Sequence, residues 1–126
     1  MLYNILIVDD SRVMRLMIAR ALKISGIEIG VLREAGNGAE ALELLRANDI
    51  DLVLLDINMP VMDGEEFLAI VRTDDALKSI AVVVASSESN EGRIRRLRLM
   101  GAEFVHKPFR PEELTAAVGR ATIARS

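Results

Sequence analysis

Leu52, Val53, Leu54 and Leu55 form an unbroken apolar run that stops at Asp56. The run is too short for a helix and has polar flanks, the pattern of a strand covered on both faces of a parallel sheet. Pro60 and Gly64 then break the chain into a loop before a helical pattern begins near Glu65. An acid is thereby placed at the carboxyl end of a central strand. In open parallel sheets the loops part at that edge and leave a crevice where ligands bind.

The rest of the chain repeats the alternation. Ile5 to Val8 is a second apolar run, ending on Asp9 and Asp10, and Ser11 suits the cap of a helix running to about Ser25 and closed by Gly26. On that helix the pattern places Arg12, Arg15, Arg20 and Lys23 on one arc and Val13, Met14, Met17, Ile18, Ala21 and Leu22 on the other. Val31 to Ala35 is interrupted by Arg33 and Glu34, which predicts a strand at or near the sheet edge. Gly36, Asn37 and Gly38 then turn into an Ala/Leu/Glu-rich helix that fades at Asn48 and Asp49.

A third helix spans Glu65 to about Arg72, and Ala81 to Ala85 reads as a second fully buried strand, ending on Ser86. Asn90 suits the cap of a fourth helix, with Ile94, Leu97 and Met100 inward and Gly101 at its end. Phe104 to His106 forms a brief strand leading to Lys107 and Pro108. A last helix from about Pro111 packs through Leu114, Ala117, Val118 and Ala121. The fold class is therefore α/β, a doubly wound five-stranded parallel sheet with helices on both faces and right-handed crossovers.

Length and composition limit the function. The 126 residues, 51% hydrophobic, suffice for one domain with a substantial core. The absence of cysteine excludes a disulfide framework and a thiolate zinc site and agrees with a reducing compartment. The start, MLYN, lacks the features of a signal peptide, and no apolar run is long enough to span a bilayer, so the expectation is a cytoplasmic protein without membrane insertion. A net charge of -3 argues against direct nucleic-acid binding.

The residues that finish the strands carry the chemistry. Asp9 and Asp10, Asp56, Ser86 and Lys107 all face one crevice if the sheet is parallel. Clustered carboxylates repel, which raises the pKa of at least one of them unless a cation intervenes. Oxygen-only ligands favour magnesium over zinc, with manganese an alternative. Lys107 has the sign to hold a phosphoryl oxygen, and Ser86 adds a hydroxyl donor. Together these neutralise a phosphoryl group in transfer and leave Asp56 as the nucleophile.

The set ILIVDD, LLDINMPVMDG, VVVASSE and GAEFVHKPF, in this order, resembles the receiver domain of two-component response regulators, closest to the single-domain chemotaxis CheY-like type. The resemblance covers essentially the whole chain, read as one receiver domain over residues 1–126 with no effector domain. It implies a flavodoxin-like fold with strand order 2-1-3-4-5. It also implies that Asp56 accepts a phosphoryl group from a histidine kinase or phosphotransfer protein, with Lys107 and Ser86 as catalytic partners. Asp9, Asp10, Asp56 and the backbone carbonyl of Asn58 would hold magnesium, and Lys107–Pro108 would be a cis peptide. Ser86 and Phe104 would form the switch, Phe104 standing where the family most often has a tyrosine whose hydroxyl is missing here. Asn58 and Glu88, two residues beyond Asp56 and Ser86, match the pair that tunes dephosphorylation in members with a short-lived signal. Between Ala102 and Lys107 the chain is one residue shorter than the usual pattern, which predicts either a different start to the fifth strand or a tighter preceding turn.

The implied output is a conformational shift on the face made by helix 4, strand 5 and helix 5, read by a target protein. The protein would be a switch rather than an enzyme, catalysing only its own phosphorylation and dephosphorylation, monomeric or dimerising on phosphorylation. Arg93, Arg95, Arg96 and Arg98 form a basic cluster on helix 4, either a solvated face or a dock for an acidic partner segment. Met14 and Arg15 stand near the rim where a kinase would dock, and His106 has no catalytic role. Rival readings are a phosphate-independent adaptor and an aspartate-nucleophile magnesium phosphohydrolase. The latter calls for a second acid where Asn58 stands. A flavodoxin-type cofactor binder would need a phosphate-cradling glycine pattern and stacking aromatics, which the chain lacks.

Overall fold

The computed structural model describes residues 2–59 and 61–123; Pro60, whose loop-breaking role is read from sequence, lies outside them. Ten elements alternate among the described residues: β1 (Tyr3–Val8), α1 (Arg12–Ile24), β2 (Ile29–Ala35), α2 (Gly38–Ala47), β3 (Leu52–Leu55), α3 (Gly64–Thr73), β4 (Ala81–Ser86), α4 (Glu91–Leu99), β5 (Glu103–His106) and α5 (Pro111–Ile123). The strands pair in the order β2-β1-β3-β4-β5, all parallel, which is the flavodoxin-like topology the family resemblance implies.

The strand period of two divides the core into two layers. Leu6, Val8, Val53, Leu55, Val82 and Val84 pack with α2, α3 and α4 on one face. Ile5, Ile7, Leu52, Leu54, Ala81, Val83 and Ala85 pack with α1 and α5 on the other. Because both faces are covered, every residue of β3 and β4 is buried, so these segments show no polar alternation. β2, with Arg33 and Glu34, lies at the edge.

Four helices begin at the carboxyl edge of the sheet with a side-chain cap. Ser11, Asn37, Asp63 and Asn90 each accept from the backbone N–H three residues on. These bonds satisfy donors that the first helical turn leaves open and fix where each loop ends. Gly26 and Gly101, at φ 86° and 82°, follow α1 and α4 in the left-handed region that glycine tolerates. Before Lys107, Ala102 N–H donates to Leu97 O at 3.2 Å, and β5 begins at the next residue.

The arc expected for α1 needs correction. Ile18, Ala21 and Leu22 are buried and Met14 partly so, but Val13 is 67% and Met17 58% exposed. With Leu16 and Ile24 they form an outward apolar ridge. Arg15 leaves the basic arc for the β1–α1 loop, where Nη1 donates to Asp9 O at 2.6 Å and Nε to Glu34 at 2.8 Å.

Candidate functional site

β1 and β3 are neighbours in register, so the residues just past their ends meet at the same edge. Asp56 N–H donates to Val8 O at 2.9 Å, and Asp9 N–H to Ala35 O at 3.1 Å, which extends the ladder one step beyond the strands. Asp9 is almost wholly buried and Asp10 exposed; Asp56 retains 8% of its surface. One oxygen from each carboxylate lies within 4.8 Å of the others. Three converging hard oxygen donors, with no histidine or cysteine among them, suit a divalent cation that prefers oxygen.

Lys107 supplies the positive charge already in place. Its Nζ lies 2.8 Å from Asp9 Oδ2 and 3.9 Å from Asp56 Oδ1. Asp9 Oδ1 accepts from Ser11 N–H at 2.9 Å, so both oxygens of this buried acid have partners. Asp56 is less well served. Burial pushes its pKa up; the Lys107 charge opposes this, Asp9 and Asp10 add to it, and the Asn58 N–H, 3.4 Å from Oδ1, pulls it down.

Ser86, the last residue of β4, is completely buried. Its Oγ accepts from Glu88 N–H at 3.1 Å, and its own proton has no acceptor among the described residues. Lys107 N–H donates to Ser86 O at 3.0 Å, tying the two loops together, and the Lys107–Pro108 bond is cis. Gly64, the first residue of α3, lies against the strand end. A Cβ there would be 2.5 Å from Ile57 Cα and 2.6 Å from Asp56 O, so only glycine lets α3 approach this closely.

Phe104 points inward, with 5% of its surface exposed, and packs with the α2–α3–α4 layer of the core. His106 is exposed and stands edge-to-face against it at 4.7 Å. Asn58 and Glu88, far apart in sequence, are joined by one side chain. Arg93 Nη1 donates to Asn58 Oδ1 at 3.2 Å and to Glu88 Oε1 at 2.9 Å. Its Nε donates to Glu65 at 3.3 Å, and Nη2 is 3.9 Å from Asp63.

The structure thus divides the basic cluster of α4. Arg93 and Arg96 share Glu65 of α3 as a partner. Arg95 and Arg98 have no ion-pair partner among the described residues and line a groove with Ile94, Leu99 and His106. The sequence reading missed Arg93 as a rim residue. The spacing held the signal, since residues three apart share a helix face and these four split into two such pairs.

A doubly wound sheet with acids, a hydroxyl and a lysine gathered at its carboxyl edge defines the class, a flavodoxin-like α/β domain with a charged site at its strand ends. A family model described as the response regulator receiver domain matches residues 5–119, and the chain belongs to that family. It is 36% identical to the chemotaxis protein CheY of Bacillus subtilis, over 95% of this chain and 98% of that protein. The chemotaxis protein CheY4 of Vibrio cholerae, a solved structure, superposes with a TM-score of 0.83 at 31% identity, covering 96% of this chain and 99% of that one. A protein-glutamate methylesterase/protein-glutamine glutaminase of Rhodospirillum centenum is 35% identical over 91% of this chain, which spans 29% of that protein's length. No helix among the described residues is long and apolar enough to cross a membrane.

Proposed function

We propose that this receiver domain is a phosphorylation-driven switch in which Asp56 accepts a phosphoryl group from a phosphohistidine of a kinase or phosphotransfer protein. The observation that carries the reading is the convergence of Asp9, Asp10 and Asp56 with Lys107 Nζ between two of them. In the transfer an Asp56 carboxylate oxygen bonds to phosphorus as the donor's P–N bond breaks, and the electron pair leaves with the imidazole. Lys107 holds a phosphoryl oxygen, and the Ser86 hydroxyl, with its proton unengaged, donates to another. Asp9, Asp10, Asp56 and the Asn58 carbonyl would hold magnesium or manganese, which when bound offsets the charge of the acids and of the phosphoryl oxygens.

The donor's dock is the α1 side of the rim. Met14 and Met17 line an apolar groove with Lys107, Pro108 and Phe109, continuous with the exposed ridge on α1. Arg15 holds the β1–α1 loop and is not free to reach a partner. Output passes through the α4–β5–α5 face, where Arg95 and Arg98 suit an acidic, partly apolar segment of a target protein. The likeness to the CheY proteins supports signalling of the chemotaxis kind.

Intact mass after incubation with a small-molecule phosphodonor, with and without magnesium, tests the reading. A single phosphate adduct that requires magnesium and disappears in Asp56→Asn supports it. Folded protein that takes no adduct yet binds a partner would favour the phosphate-independent adaptor. Turnover of free phosphate esters would favour the phosphohydrolase.

A further inference from the structure

We propose that Arg93 is a positioning residue that prolongs the phosphorylated state by holding the side chains of Asn58 and Glu88 away from the water that would hydrolyse it. The inference rests on the phosphoacceptor reading of Asp56. Asn58 and Glu88 are each tied through backbone N–H to a side chain of the site, Asn58 to Asp56 Oδ1 at 3.4 Å and Glu88 to Ser86 Oγ at 3.1 Å. Their own side chains meet at Arg93. A chain of contacts runs from Asp56 through Asn58, Arg93 and Glu88 to Ser86, with Arg93 Nη1 as the link between the two loops.

Loss of the phosphoryl group requires water to attack phosphorus from the side opposite Asp56. The new P–O bond forms as the bond from phosphorus to the Asp56 oxygen breaks. The electron pair returns to the carboxylate, and a water proton goes to the departing inorganic phosphate or to solvent. An acceptor at the mouth would orient that water and draw on its proton. The carboxamide oxygen of Asn58 and Oε1 of Glu88 are acceptors on the two loops, and Arg93 engages both, while Glu88 Oε2 is held by the Ser89 and Asn90 N–H groups.

Arg93 is not free to act on the phosphoryl group itself. Glu65 holds Nε at 3.3 Å, Glu88 holds Nη1 at 2.9 Å, and Asp63 stands 3.9 Å from Nη2. A guanidinium with acids on each side gains little by turning toward another anion. Its effect on the site runs through Asn58 and Glu88.

The test follows the decay of the phosphate adduct by intact mass after the donor is removed, with magnesium present, for the wild type, Arg93→Ala and Arg93→Lys. Arg93→Ala should shorten the lifetime about fivefold, with the rate of phosphorylation by the small donor unchanged. Arg93→Lys, with one ammonium in place of a fork, should fall between. The shortening should vanish when Asn58→Ala and Glu88→Ala are added, which a merely structural role would not produce. Glu65→Gln, which loosens the anchor and leaves Arg93 in place, should shorten the lifetime by a smaller factor and serves if Arg93→Ala does not fold. An unchanged or longer lifetime in Arg93→Ala, or a slower phosphorylation with the lifetime intact, would overturn the inference. Failure of the wild type to take any phosphate would overturn the phosphoacceptor reading first and this one with it.

Discussion

Lys107 Nζ and Asp9 Oδ2 meet at 2.8 Å across 98 residues of sequence, and each is nearly closed off from solvent, with side-chain exposures of 14% and 2%. The pair joins the first strand of the fold to its last loop. Removing the cation leaves a buried carboxylate whose remaining bond is to Ser11 N–H. Lys107→Ala should therefore lower the stability of metal-free protein by about 3 kcal/mol, read by urea titration. Magnesium should restore more of that loss than it adds to the wild type, because a cation in the acid cluster takes over part of the same role. An unchanged midpoint would mean that Asp9 does not depend on this partner.

Asp56 makes stability depend on pH in a direction opposite to that of most acids. Burial raises its pKa above the ordinary 3.8 despite the opposing Lys107 charge, so the folded protein binds this proton more tightly than the unfolded chain. In the pH range between those two values the folded state carries more protons, and stability falls as pH rises through it. Metal-free Asp56→Asn, neutral throughout, should melt higher than the wild type at neutral pH, and the gap should close as pH drops below that range. Added magnesium should narrow or reverse the order, since it favours the ionised acid. Melting curves of both proteins from pH 3 to 8, with chelator and then with magnesium, read the difference directly; a gap that does not change with pH would show that Asp56 is not the group responsible.

The fold was legible in the sequence because the inner strands need no tertiary information. Leu52–Leu55 and residues 81–85 are apolar throughout since both faces are covered, and the acid or hydroxyl that follows each marks the edge. The gathering of Asp9, Asp10, Asp56, Ser86 and Lys107 at one edge followed from topology for the same reason. The surfaces were harder. Val13 and Met17 look like core by hydrophobicity, yet the sheet accepts only one stripe of α1 and leaves these on the outside. The spacing of the α4 arginines separates Arg93 and Arg96 from Arg95 and Arg98, but which pair is fastened depends on where Glu65, Asp63 and Glu88 stand, and these hold Arg93 while Arg95 has no ion-pair partner among the described residues.

Gly64 links packing to the site. A Cβ at this position would overlap backbone atoms of Asp56 and Ile57, and backbone cannot move aside as a flexible side chain can. Gly64→Ala should cost about 2 kcal/mol. It should also slow phosphorylation by a small donor in protein that remains folded, because the displaced atoms belong to the residue that would accept the phosphate. A variant with normal phosphorylation and reduced stability would show that α3 moves outward as a unit and leaves Asp56 in place.

Arg72 tests whether a half-buried cation with no acidic partner among the described residues serves structure alone. Its guanidinium donates to Met100 O at 2.7 Å, Lys78 O at 2.9 Å, Ile80 O at 2.7 Å and Gly101 O at 3.3 Å, fastening α3 to the entry of β4 and the end of α4. Burial lowers its pKa, but a guanidinium stays charged and meets the cost through this fork of donors. Arg72→Ala strips four carbonyls of a partner at once, and where water cannot replace it the loss should reach about 3 kcal/mol. Arg72→Lys should recover little, since one ammonium cannot span carbonyls on both sides. Phosphorylation of the folded fraction should be unchanged, because none of these contacts touches Asp56, Ser86 or Lys107. A variant that kept its stability but lost phosphorylation would place Arg72 in a path between the sheet and the site that its bonding does not suggest.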